Sequence, residues 1–145
     1  MQTLTVQVNY RAPVGRVFDV CTDFSKARHI SAIKKLEVLV GNTFAVGTRW
    51  KELRKAGWSD AWMEFVVVEC TPPTGFTITT EAGGTLWTTE FEFTAATGGA
   101  TVTATIQWEP HGLALRLFNG MIRHRMEHGM KQDLEDLRAC IETQS

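Results

Sequence analysis

Leu4, Val6, Val8 and Tyr10 alternate with Thr5, Gln7 and Asn9 at the start of the chain. A period of two with one apolar side predicts a half-buried strand. The period changes across "RAPVGRVFDVCTD", where Val14, Val17, Phe18 and Cys21 fall at helical spacing and Pro13 suits a first helical turn. "DFSKARHISAI" predicts a second short helix capped by Asp23 or Ser25. From Lys35 to Pro110 the chain reads as about six strands, with turns at "GNTFAVG", near Gly57, and at "TPPTG", "AGG" and "ATGGA". In the last two, Trp87, Thr89, Phe91 and Phe93 alternate with Thr88, Glu90 and Glu92, and Val102, Ala104, Ile106 and Trp108 alternate with threonines and Gln107. One dry face and one wet face mark antiparallel sheet.

A final helix is expected from about Leu113 to Glu142. Its apolar stripe runs through Leu115, Phe118, Ile122, Met126, Met130, Leu134, Leu137 and Ile141, and Glu127, Lys131, Asp133, Glu135, Asp136 and Arg138 supply much of its outer face. Gly120 and Gly129 interrupt it, each costing roughly 1 kcal/mol against alanine. They either admit a backbone or ligand or are tolerated weaknesses. The whole predicts an α+β fold: a curved antiparallel sheet of about seven strands around a long C-terminal helix, with two short helices after the first strand. Such a sheet and helix cannot close along their whole length, so an internal cavity is expected.

Composition changes this little. A length of 145 residues suits one domain over residues 1–145, and net charge -1 offers no basic footprint for nucleic acid. No secretory leader and no membrane span is read. Cys21, Cys70 and Cys140 show no C-x-x-C spacing, so free, space-filling thiols in a reducing cytoplasm are expected. A monomer or a homodimer is expected.

Chemistry centres on "HRMEH", which spells the H-x-x-E-H zinc signature at His124 and His128. Both histidines would share a helix face, but catalytic zinc needs a third protein ligand. Only 17 residues follow His128, and they read as the same helix. No metal and no cofactor is therefore expected. The histidines either line the cavity, for binding or proton transfer, or serve surface and packing. Tyr10, the single tyrosine, either packs in the core or turns its hydroxyl to a ligand. Trp50, Trp62, Trp87 and Trp108 fall on strands and Trp58 near a turn; Trp87 and Trp108 face inward, as cavity wall or as core. Glu52, Arg49 and Asp60 are candidate buried charges, though strand charges more often face water.

"APVGRVFDVCTDF", "VGTRW", "VVVECTPPTGFTI", "GGATVTATIQWEP" and "DLEDLRACIE", in that order, resemble the START / polyketide-cyclase superfamily (SRPBCC) with its helix-grip fold. A departure lies at "ARHI", where members often carry tryptophan and this chain has His29. The resemblance implies a pocket for an apolar small molecule, a lipid, polyketide or aromatic compound, and leaves the reaction open. Expected walls are Tyr10, Trp87, Phe91, Ile106 and Trp108 from the strands. Phe118, Met121 and Ile122 come from the helix, with Arg125 and His124 at a polar end. A binding module is the leading reading. The alternatives are a cyclase- or dehydratase-like enzyme using His124, His128 or Glu52, and a partner-binding protein of the coenzyme-Q-chaperone or toxin-like kind.

Overall fold

The computed structural model describes residues 1–56 and 59–143. Trp58, expected near a turn, lies outside the described residues. Nine residues of alternating burial, Gln2–Tyr10, form β1. Val14–Cys21 form α1, followed by a single 3₁₀ helix, Phe24–His29. Asp23 caps that helix by accepting a hydrogen bond from the Ser25 N–H. Six strands follow: β2 Ile33–Val40, β3 Arg49–Ala56, β4 Ser59–Thr71, β5 Gly75–Ala82, β6 Thr85–Ala96 and β7 Gly99–Trp108. They make one antiparallel sheet in the order β1-β7-β6-β5-β4-β3-β2. Each neighbour except β1 is joined by a hairpin, and β1 closes against β7 in full register, Gln2 opposite Trp108 and Tyr10 opposite Ala100. A two-residue hairpin joins β5 to β6 through Gly83 and Gly84, at φ +61° and +75°. That left-handed backbone suits glycine and matches the twist of the flanking strands.

Register shifts in β2–β3 and in β4–β5 mark bulges that bend the far side of the sheet. The bend lets the sheet wrap the C-terminal helices. These are three segments rather than the one expected: α2 Leu113–Leu117, α3 Asn119–Asp136 and α4 Arg138–Glu142. Phe118 leaves helical geometry at φ −102° and ψ 17°, which ends α2. At Leu137 the backbone stays helical, φ −86° and ψ −10°, so α3 and α4 run nearly on.

The packed core lies where α1, α3 and α4 cover β1, β7 and β6. Val17, Val102 and Ile141 are fully buried there, with Phe18 edge-on to Phe93 at 5.2 Å between ring centres. Tyr10 belongs to this core, and its hydroxyl donates to the Leu134 carbonyl at 2.7 Å. Arg16 of α1 donates to the Cys140, Ile141 and Thr143 carbonyls, satisfying acceptors that a helix end leaves open. Among the described residues no helix is long and apolar enough to cross a membrane.

Candidate functional site

Where the bent half of the sheet leaves the helices, a cavity of about 470 Å³ remains, partly open to solvent. Its sheet wall is aromatic and aliphatic: Trp50, Phe65, Phe76, Ile78, Trp87, Phe91 and Ile106 all line it. The helix wall comes from Ile122, Met126, Gly129, Met130, Asp133, Leu134 and Leu137, spaced by threes and fours. Ile30, Ile33 and Phe44 close the side nearest β2. Several rings are mutually braced. Trp50 stacks on Phe65 at 5.5 Å and 16°, and Phe76 on Phe91 at 4.6 Å and 21°.

Three charged side chains meet within this apolar lining. Period two along β3 turns Trp50, Glu52 and Arg54 inward together. One Arg54 terminal nitrogen donates to Glu52 Oε2 at 3.0 Å; the other donates to both Asp133 oxygens, at 2.9 and 2.7 Å. Trp50 Nε1 donates to Glu52 Oε1 at 2.9 Å. The Glu52 side chain is only 9% exposed, those of Asp133 and Arg54 17% and 20%. Burial works against the Arg54 charge, yet Asp133 and Glu52 outweigh it and hold its pKa above the ordinary value. Asp133 is pushed up from the ordinary carboxylate range, chiefly by burial. Glu52 and Asp136 add to the rise, and Arg54 opposes it. One cation thus serves two carboxylates, and Asp133 holds its proton more firmly than a free carboxyl.

Two further polar groups of the lining are already engaged. Trp87 Nε1 donates to the Ala82 carbonyl at 3.1 Å, and the Thr80 hydroxyl to the Glu64 carbonyl at 2.6 Å. Cys21 also borders the cavity, but burial pushes its thiol up to about 12, so it is no thiolate nucleophile near neutrality.

Of the residues expected from sequence, Trp87, Phe91, Ile106, Ile122 and Glu52 line the cavity. Tyr10 does not; its hydroxyl is spent on the helix backbone. Trp108 is buried behind the wall, 5.2 Å from the Trp87 ring, with its N–H donating to Asn119 at 3.3 Å. Phe118 and Met121, at 54% and 52% exposure, face solvent together with Leu113 and Leu117. The break at Phe118 detaches α2 from the stripe that continues from Ile122 onward, and Met121 lies beside that stripe on α3, one residue before Ile122. Arg125, His124 and His128 are exposed on α3 and lie away from the lining. Among the described residues no three His, Cys, Asp or Glu side chains are grouped to hold a metal ion. Arg49 and Asp60 face water, paired with Glu64 and Lys34. His29 is exposed, and its neighbour Ile30 takes the place at the cavity.

Arg54 escaped the sequence reading, and Asp133, expected on the outer face of the final helix, instead turns into the cavity to meet Arg54. Two signals could have found them. Arg54 repeats the two-residue step from Trp50 and Glu52, and Asp133 sits three residues after Met130, inside the apolar stripe.

Residues 1–142 match the model of the family described as polyketide cyclase / dehydrase and lipid transport. The chain belongs to this family. No curated protein matches it. Solved structures share the helix-grip fold at low identity. TTHA0849 from Thermus thermophilus is 15% identical with TM-score 0.82, covering 97% of each chain. CV1439 from Chromobacterium violaceum is 17% identical with TM-score 0.76, covering 99% of this chain and 100% of that one. A norcoclaurine synthase mutant from Thalictrum flavum, solved with a transition-state analogue, is 11% identical with TM-score 0.70, covering 94% and 92%.

Proposed function

We propose that this family member binds an apolar small molecule in the cavity between its sheet and α3. The observation that carries the reading is the cavity itself: about 470 Å³, walled by braced aromatic rings and methionines, with polar groups gathered at one place. That is the common make-up of a small-molecule site. Burying ~300 Å² of apolar ligand surface would contribute about 7 kcal/mol before the entropic cost of association. Met126 and Met130 are unbranched and can adapt to a ligand outline.

Nile red, a neutral apolar dye, tests this. It should bind saturably at about one per chain. Gly129→Phe and Met126→Trp should each weaken it at least tenfold while the melting curve stays cooperative; a Cβ at Gly129 meets nothing within 4 Å. Unchanged binding in both folded variants would place the dye elsewhere and end the reading. Phe91 is a poor choice for this test, because it also belongs to the packed core.

A second reading is favoured by one observation. Asp133, buried beside the cavity and raised in pKa, is suited to holding and transferring a proton. A cyclase- or dehydratase-like reaction would use it, with Glu52, rather than the exposed histidines. Turnover of a cyclisable polyketide mimic, lost in Asp133→Asn with binding retained, would support catalysis.

A further inference from the structure

We infer that the cavity selects ligands whose polar end is a cation or a hydrogen-bond donor, an amine before a hydroxyl, and discriminates against carboxylates. This rests on the proposed binding role and deepens it.

The inference comes from the balance of charges and hydrogen-bond capacity at Trp50, Glu52, Arg54 and Asp133. These hold the only charged side chains among the described lining residues: two carboxylates and one guanidinium. With all three ionised the cluster carries one surplus negative charge. In an apolar wall that charge is expensive unless it is protonated or met by a partner. Each terminal nitrogen of Arg54 is already aimed at a carboxylate, so an incoming anion would compete with Glu52 and Asp133 for the one guanidinium. Donors and acceptors are unbalanced in the same sense. The N–H groups of Trp50 and Trp87 are spent on Glu52 and on the Ala82 carbonyl. A carboxylate has about four lone-pair sites, so the two present offer more than the four contacts they receive. What the cluster lacks is a second cation, and a ligand can bring one; the Thr89 hydroxyl is a further polar group of the wall. The raised pKa of Asp133 points the same way: without a ligand, the site tends to take a proton.

Three probes sharing a naphthalene ring separate the possibilities: 2-naphthylmethylamine, 2-naphthalenemethanol and 2-naphthoate, titrated by calorimetry at pH 7. The amine should bind at least tenfold more tightly than the carboxylate, with the alcohol between. In Asp133→Asn the amine's advantage over the alcohol should shrink several-fold, and in the Glu52→Gln, Asp133→Asn double variant the carboxylate should overtake the amine. Cooperative melting of each variant confirms folding. If the alcohol binds but the amine has no advantage, or if the advantage survives in both variants, the inference falls and the binding role stands. If none of the three binds to folded protein, both fall.

Discussion

The two halves of the sheet face the same helices and are filled differently. Along β1 from Leu4 to Tyr10 and along β7 from Ala100 to Trp108 every inward position is apolar and buried, and α1, α3 and α4 press onto most of them. Along β3 the inward positions are Trp50, Glu52 and Arg54, and they face a cavity. The electrostatics differ too. In the packed half, Arg138 lies over the Tyr10 ring at 5.0 Å and gathers Glu135 and Glu142 at the surface. A hydrogen bond from Arg138 holds Glu135 below the ordinary range; the Arg11 N–H, then Arg138, does so for Glu142. At the cavity, Asp133 moves the opposite way because burial dominates. Solvated ion pairs finish the closed half. The open half keeps a buried group whose charge is unfinished.

The largest effect is expected for a core truncation. Ile141→Ala removes a fully buried side chain and should cost about 2–5 kcal/mol in urea unfolding. Met63→Ala, at the cavity wall, should cost under about 1 kcal/mol, because a side chain bordering empty space loses fewer contacts. Equal costs would mean the two halves are packed alike.

Arg54→Met should be the exception on the open side. It leaves Glu52 and Asp133 facing each other without a cation, and about 3 kcal/mol of stability should be lost at pH 7. Lowering the pH should restore part of it as the carboxylates take up protons.

The two halves should also answer pH with opposite signs. Asp133 has a raised folded pKa, so its stabilising contribution is complete below the unfolded carboxylate pKa and is lost as pH rises through the folded value. Asp133→Asn should therefore gain stability relative to wild type as pH climbs from about 4 towards 7. Glu135 and Glu142 have lowered folded pKa values, so their contribution is present above the unfolded pKa and disappears as pH falls through the folded value. Glu142→Gln should cost under about 1 kcal/mol at pH 7, since the Arg138 pairs are partly solvated, and nothing at acid pH. Chemical denaturation at four pH values reads both slopes; parallel slopes would contradict the contrast.

Gly129→Ala should have a smaller effect, of the opposite sign. The glycine has an ordinary helical backbone and open space around its missing Cβ, so alanine should raise stability by about 0.5–1 kcal/mol. A loss instead would mean that the wall is tighter than its geometry indicates.

The smallest effect is expected for His124→Ala and His128→Ala, exposed on α3. Each should change stability by no more than about 0.5 kcal/mol, with bound zinc well under one per chain before and after. Stoichiometric zinc lost on substitution would revive the H-x-x-E-H reading.

The amino-acid pattern alone determined the element order, the antiparallel sheet, the inward faces of β1, β6 and β7, and the family resemblance. It could do so because alternation with one dry face has a single physical solution, and because a β-strand's period of two holds whatever it packs against. The stripe from Ile122 to Ile141 was legible for the same reason, at the helical period. Only the tertiary structure decided the cavity's contents. Residues 113–122 are apolar on most sides, so rotation could not be read there; the break at Phe118 left α2 and Phe118 outside, and the rotation of α3 turned Ile122 inward and Met121 outward. On β3, "RWKELRK" carries charges on both faces, so composition does not say which face is inside. Arg54 and Asp133 meet across 79 residues of sequence. Their pairing exists because the bulged sheet bends away from α3 far enough to leave a cavity and near enough for one guanidinium to bridge its two walls.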